Sequence, residues 1–545
     1  MKLSLVWISV LAMLACRPPV VEPESFYFSS IRVDGVQSGG FYANQVKGKP
    51  EVELSFSAPV DPMSAQAQIR LFERATATPV PLTHAFSQNN QVVTVKPTQD
   101  LKSLTAYQVV INPDLISQRK TLLNTLHRFQ MTTVVDPSDK FPRISDEDLL
   151  TLVQKQTFRY FWDFGHPVSG MARERNTSGD VVTSGGTGFG IMAMVVAVER
   201  GFVSREAAVE RLVKLTDFLQ NKAQKYHGAF AHWINGSTGQ TVPFSTYDDG
   251  GDLVETAFLV QGLLTAREYF QGSTPQEQKL RATIQSIWEG VEWNWYTQGG
   301  QDVLYWHWST NHGWRMNHRI HGWNECLITY FLAAASPTFP ISKSVYDKGW
   351  AMSGQMRNGK TFEGVTLPLG YDFGGPLFFS HYSFLGLNPK GLKDAYGDYW
   401  EQNLRHTQIN YLYCVRNPRN YAGYGPSSWG LTASDSPRGY AAHSPTEDLG
   451  VITPTAALSA FPYTPKESMA ALHHFYYVLG DKLWGEYGFK DAYSLHNLWF
   501  ADSYLAIDQG PIICMIENYR TGLLWNTFMK APEVKKAKSV LGFVE

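Results

Sequence analysis

Three stretches of the chain bring acids to places where they could work on a proton. Tyr247-Asp248-Asp249-Gly250-Gly251-Asp252-Leu253-Val254-Glu255 puts Asp252 at the start of an apolar helical run and Glu255 one turn on, so both can face one way. An N-cap and its capping-box partner account for Asp252 and Glu255 but not for the Asp-Asp-Gly-Gly approach. We read the stretch as one wall of a site. In His318-Arg319-Ile320-His321-Gly322-Trp323-Asn324-Glu325-Cys326-Leu327-Ile328, Glu325 precedes a strongly apolar segment. A carboxyl hemmed in by apolar groups keeps its proton at neutral pH and can donate it. The plain alternative is a helix-start acid favoured by the macrodipole. In Ala506-Ile507-Asp508-Gln509-Gly510-Pro511, Asp508 stands near a glycine that admits close backbone approach. It is either a water-activating carboxylate or an Asx-turn residue.

Aromatic rings gather around these acids. Trp293, Trp295, Trp306, Trp308, Trp314 and Trp323 place six of the 16 tryptophans within 31 residues. Flat rings beside polar groups suit a pyranose, whose C–H faces are apolar and whose hydroxyls need hydrogen bonds. Packing that merely holds a loop is the competing role. Similar mixtures surround Arg173, Tyr371, Tyr382, Trp429 and Tyr440. The expected sugar contacts are therefore Asp248, Arg173, Trp306, Trp314, His321, Trp323, Tyr371, Tyr382, Trp429 and Tyr440. His318-x-x-His321 with Glu325 lacks the HExxH order of a zinc helix, so neither a metal nor a cofactor is expected. The chain has no GxSxG elbow and no phosphate-binding GxxxxGK[ST] loop. Gly185-Gly186-Thr187-Gly188-Phe189-Gly190 lacks a βαβ setting and reads as close helix packing or backbone approach to a ligand.

Composition narrows the field further. The 545 residues allow three to four domains at about 150 residues each, or fewer if one is a large barrel. Lys+Arg 47 against Asp+Glu 49 gives a net charge of −2, so no basic field attracts nucleic acid. Hydrophobic residues at 43% are enough for large cores and exclude wholesale disorder. Cys16, Cys326, Cys414 and Cys514 form no CxxC pair. With Cys16 otherwise engaged, the remaining three read as mostly buried thiols.

Lys2 and the apolar run Leu3 to Ala15 match an export signal, too short to span a bilayer. Met13-Leu14-Ala15-Cys16 resembles a lipobox, with Cys16 as the lipidated residue. The expected segments are a signal at 1–15 and a proline-bearing tether at 16–27. The protein is then exported and lipid-anchored, in the periplasm or on the outer-membrane surface. It touches membrane only through that anchor and is otherwise a monomer.

The elements that must position the acids fall into two groups. Residues 28–136 contain period-2 patterns, as at Val52, Leu54 and Phe56, with further strands at 93–95, 107–111 and 129–133. They predict a small all-β Ig-like sandwich. Residues 145–535 turn helical. Ser145 with Asp146, Glu147 and Asp148 starts the first helix, Ser204 and Pro275 mark later starts, and Gly201 closes the second. Further helices are predicted near 322–336, 342–354, 378–386, 392–413, 454–461, 466–479 and 511–529, with almost no strand between them. Long polar-aromatic loops at 222–251, 297–321, 357–377 and 415–453 alternate with tight turns. The fold class is therefore mainly α, an (α/α)6 toroid preceded by the sandwich.

Residues 146–530, about 70% of the chain, resemble the bacterial glucoamylase-like domain of glycoside hydrolase family 144, the β-1,2-glucanases. The resemblance rests on Asp248 through Thr256, Trp323-Asn324-Glu325-Cys326-Leu327-Ile328-Thr329-Tyr330, Phe373-Gly374-Gly375-Pro376-Leu377-Phe378 and Asp508-Gln509-Gly510-Pro511. The segment Phe56-Ser57-Ala58-Pro59-Val60-Asp61 is similar to bacterial Ig-like modules. The resemblance implies metal-free, inverting hydrolysis of β-1,2-glucan or its oligosaccharides, endo-acting or releasing sophorose from an end. Glu325 would be the general acid and Asp508 the leading base. Asp252 and Glu255 would line the cleft or relay a proton. Two rivals remain from the residues alone: a glycan-binding surface lipoprotein without turnover, and a polysaccharide lyase on the same toroid.

Overall fold

The computed structural model describes residues 24–37 and 42–544. The expected signal at 1–15, the expected lipidation site Cys16 and most of the expected tether lie outside the described residues. The chain divides into two compact units, one ending at Asp136 and one starting at Pro137.

In the first unit, β1 (Phe28–Val33), β2 (Val36–Gln37), β3 (Tyr42–Val46), β4 (Val52–Phe56), β5 (Ile69–Glu73), β6 (Pro79–Val80), β7 (Leu82–Ser87), β8 (Val92–Pro97), β9 (Ala106–Ile111) and β10 (His127–Thr133) follow in order. They form two five-stranded sheets, β2-β1-β4-β8-β7 and β3-β10-β9-β5-β6. Alternation does the sorting. Val52, Leu54 and Phe56 point inward while Glu53 and Ser55 stay partly exposed. One apolar core joins Leu54, Val93 and Val95 from the first sheet to Leu71, Val109 and Met131 from the second. This is a β-sandwich.

In the second unit, helix starts follow their caps. Ser145 accepts from the Asp148 amide before Asp146–Trp162, Ser204 from Ala207 before Arg205–Asn221, and Thr274 from Glu277 before Pro275–Glu289. The helices come in two kinds. Arg205–Asn221 and Pro275–Glu289 bury one face only, with Leu212, Leu215, Leu280 and Ile284 inward. Ser184–Glu199, Leu253–Tyr269, Leu327–Ala335 and Ala506–Arg520 are buried almost all round. Ala506–Arg520 packs on Ser184–Glu199, which packs on Leu253–Tyr269, which packs on Leu327–Ala335. Glycine allows the closest contact: a Cβ on Gly188 would lie 2.2 Å from the Phe258 carbonyl, and one on Gly262 2.2 Å from the Gly188 carbonyl. The Gly185–Gly190 stretch is thus a helix-packing seam.

Several elements differ from the sequence expectation. Residues 342–354 form only a short helix and a π-turn, Tyr346–Trp350, closed by left-handed Met352, Ser353 and Gly354. Around 378–386 there are two 3-10 turns. The last expected helix begins earlier, at Ala506, so Asp508 sits in its first turn and Pro511 inside it. Two-residue strand pairs, absent from the periodicity, pin the long loops: Gly251–Asp252 pairs with His307–Trp308, and Leu304–Tyr305 with Arg319–Ile320. Cys326, Cys414 and Cys514 are buried free thiols. Among the described residues no helix is long and apolar enough to cross a membrane.

Candidate active site

Asp252 caps its helix by accepting from the Val254 and Glu255 amides at 2.9 and 2.8 Å through Oδ1. Its Oδ2 accepts from Trp306 Nε1 at 3.1 Å and lies 3.2 Å from His232 Nδ1. One carboxylate therefore fixes the helix start, a tryptophan and a histidine together. Glu255, one turn on, accepts from the Gly185 amide at 2.7 Å and from Thr183 Oγ1 at 3.3 Å. A Cβ at residue 185 would fall 2.5 Å from Glu255 Oε2, so only glycine lets this amide reach the acid. Burial raises the Glu255 carboxyl above its ordinary range and the charge of Asp252 adds to this, while His232 and these donors offset only part of it. Burial by itself would lower His232, but Glu255, Asp252 and Asp248 outweigh it and carry the imidazole up to about 9. The His232 ring also stacks on Phe244 at 4.2 Å. Asp248 is pushed up to about 7 by burial and by the charge of Asp252. Among the described residues its Oδ1 has no hydrogen-bond partner, because the nearby His307 Nε2 already accepts the Gly250 amide.

Glu325 stands in the turn before Leu327–Ala335. Asn324 Oδ1 accepts from the Cys326 amide, and Ser383 donates to the Glu325 carbonyl, so this turn is tied down on both sides. The carboxyl is raised to about 8 by burial, with smaller contributions from Glu255 and Asp252. A cavity of roughly 310 Å3 is lined by both Glu255 and Glu325, with His232, Trp306, Tyr382 and Tyr440 among its other walls. Rings and two carboxyl side chains share one hollow.

A second acid group lies beside it. Arg175, also on the cavity wall, donates to Glu174 at 2.9 Å and to Asp435 at 3.1 Å. Ser503 donates to Asp435, and the Asp435 amide donates to Asp491 Oδ2 at 2.7 Å. Asp491 is raised to about 7 by burial. Asp508 is pushed well above the usual carboxylate range, first by burial and then by Asp491. Among the described residues neither Asp508 oxygen accepts from a donor, and its neighbour Ile507, not Asp508 itself, lines the cavity.

The structure brings Glu325, Glu255, Trp306, Tyr382 and Tyr440 to this cavity, with Asp252 directly behind it. Tyr371 and His321 line a separate outer pocket. Others do not reach a ligand space. Trp323 is enclosed between Phe384 and Tyr399, and Trp429 is wholly buried and donates to the Glu467 carbonyl, so both are packing rings rather than sugar platforms. Arg173 lies over the Phe164 ring and donates to the Phe164 and Gly179 carbonyls, so its guanidinium is committed to the fold. Trp314 packs among Trp295, Tyr296, Tyr305 and Trp308 and holds the 297–321 loop. Sequence reasoning missed His232, Phe244 and Asp491. His232 and Phe244 flank the first acid stretch in a long loop, which was a usable signal; Asp491 had none. His232, Asp248 and Asp252 bring ligand-type atoms within 4.8 Å of one another. Both Asp252 oxygens are already engaged by amide, indole and imidazole groups, which suits hydrogen bonding better than metal ligation.

Comparison with known proteins follows the same division. Residues 317–532 match the Glycoamylase family, described as glucoamylase, and residues 40–133 match a bacterial Ig-like domain. A solved endo-β-1,2-glucanase from Chitinophaga pinensis, in complex with sophorotriose and glucose, is 52% identical with a TM-score of 0.72, covering 74% of this chain and 99% of that one. The chain belongs to the glucoamylase-like β-1,2-glucanase family. A β-1,2-glucanase structure from Parabacteroides distasonis is 38% identical with a TM-score of 0.71, covering 95% of this chain and 73% of that one. An exo β-1,2-glucooligosaccharide sophorohydrolase of the same species is 48% identical over 416 residues, 72% of this chain; the match spans only 57% of that protein. An endo-β-1,2-glucanase from Talaromyces funiculosus, 11% identical with a TM-score of 0.53, shares the fold alone. In this family member Glu255 and Glu325 are walls of one cavity, with Asp252 behind it.

Proposed function

We propose that this protein hydrolyses β-1,2-linked glucan or its oligosaccharides with inversion, from the cavity shared by Glu325 and Glu255. The observation that carries the reading is that the Glu325 carboxyl, raised to about 8, and the hydrogen-bonded Glu255 carboxyl line one ring-walled hollow. Glu325 gives its proton to the glycosidic oxygen as the C–O bond breaks. Glu255 takes a proton from a water whose oxygen attacks the opposite face of the sugar. Protonated His232 beside Glu255 offsets part of the cost of holding that carboxylate. Asp252 orients Trp306 and His232, and Trp306, Tyr382 and Tyr440 are the sugar-facing rings. The run of buried helices packed one on the next, with one-sided helices beside them, supports an (α/α)6 toroid as part of the same proposal. Export and lipid attachment at Cys16 belong to the same proposal, as does monomeric behaviour.

The test is the release of reducing ends from linear β-1,2-glucan. Wild-type protein produces them and Glu325→Gln loses about 10²–10⁴-fold in rate while keeping its circular dichroism. Binding without new ends would make the protein a lectin, and an ultraviolet-absorbing product from a uronic-acid polysaccharide, with none released from the glucan, would make it a lyase.

A further inference from the structure

Outside the catalytic cavity lies a second hollow of roughly 420 Å3, walled by Asn317, His318, Arg319, His321, Asn324 and Tyr371. It opens next to the site. Asn324 precedes Glu325 in the chain, and the His318 ring stacks at 4.9 Å on Trp306, which lines the catalytic cavity. Beyond it, Arg319 and His321 also line a third hollow of roughly 470 Å3 that includes Gln301, Lys348 and Gln355. The three hollows are therefore linked through shared or neighbouring wall residues.

Tyr371 is the unusual member. Its side is 61% exposed, yet its loop is pinned. The Gly370 amide donates to the Met356 carbonyl at 2.7 Å, and Asn358 Nδ2 donates to the Gly370 carbonyl at 2.9 Å. Gly370, at φ +92°, lies so close over the buried Trp323 that a Cβ there would be 2.6 Å from the indole. An exposed ring on a rigid support loses little freedom when something stacks on it. The walls around it carry no carboxylate, and their histidine, asparagine and arginine groups can serve hydroxyl oxygens. In the third hollow the one acid, Asp302, is paired with Lys348 at 2.8 Å.

We infer that Tyr371, with His318, His321 and Asn324, forms a subsite for a further neutral glucosyl unit of the chain, on the Glu325 side of the bond that is cut. This rests on the proposed hydrolysis and adds to it where a longer substrate lies. Extra units held there make rate depend on chain length, because binding energy away from the reacting bond is used to position it.

The experiment compares kcat/KM of the full chain on linear β-1,2-gluco-oligosaccharides of increasing length. Tyr371→Ala should reduce the ratio of long-substrate to shortest-substrate kcat/KM about tenfold, the size expected for one lost ring contact. Tyr371→Phe, which keeps the ring, should restore most of it. A ratio that does not change in Tyr371→Ala overturns the subsite, as does an equal loss at every length. Calorimetric binding of the longest oligosaccharide to Glu325→Gln and to Glu325→Gln/Tyr371→Ala gives a readout free of turnover. About tenfold weaker binding in the double variant supports the subsite even if no hydrolysis is found, and equal binding refutes it.

Discussion

Two acid groups stand beside one cavity, and they handle burial differently. On the His232 side, Asp252 and Glu255 are fed by the Val254, Glu255 and Gly185 amides, Thr183, the Trp306 indole and the imidazole. On the Arg175 side, the guanidinium is used on Glu174 and Asp435, and Asp508 is left with Asp491 and no donor. Donors let a buried carboxyl keep charge; their absence makes it keep a proton. The His232 side therefore gives its carboxyls donors that offset part of the cost of burial, and the Arg175 side leaves Asp508 and Asp491 to share a proton behind the wall.

The contrast can be broken most sharply by substituting one acid from each side. Glu255→Gln should cost about 10²–10⁴-fold in turnover, and Asp508→Asn distinctly less, measured as reducing ends at neutral pH. The reverse ranking would move water activation to the Arg175 side. Gly185→Ala removes the close approach that positions Glu255 and should cost roughly 10–100-fold in kcat with circular dichroism retained, since small displacements of a reacting group are felt at that scale. Undiminished kcat would mean that this contact does not set the geometry. The pH profile comes next. Glu325 works protonated, so kcat/KM should fall above about pH 8, where its carboxyl ionises; a profile flat to pH 10 would remove it as donor. The smallest effect concerns stability. A carboxyl raised on folding stabilises fully below its unfolded pKa and loses that contribution as pH rises through the folded value. Asp508→Asn should therefore raise the melting temperature at pH 8 by roughly 2 °C and leave it nearly unchanged at pH 4. A loss at pH 8 would show that the charged form is the stable one.

Much of this was legible in the chain. Ser145, Ser204 and Thr274-Pro275 announced helix starts because capping is local chemistry. Alternation at Val52, Leu54 and Phe56 announced the sandwich for the same reason. The acid stretches were legible because three acids in five residues conflict unless something outside the stretch satisfies them. What was illegible depends on distant contacts. Trp323 and Trp429 look like sugar platforms by composition and are enclosed rings, because which face of a ring is covered is decided by Tyr399 and Glu467, far along the chain. Asp508 looked like a loop acid because Pro511 masked a helix that starts at Ala506. Asp491, its partner, has an unremarkable local sequence.

The central claim is that one water adds to a β-1,2 linkage across the cavity between Glu325 and Glu255. Proton NMR of linear β-1,2-glucan in the first minutes after adding protein tests it directly. The claim predicts that the newly formed reducing end appears first as the α-anomer. First appearance of the β-anomer, or an unchanged spectrum, would contradict it.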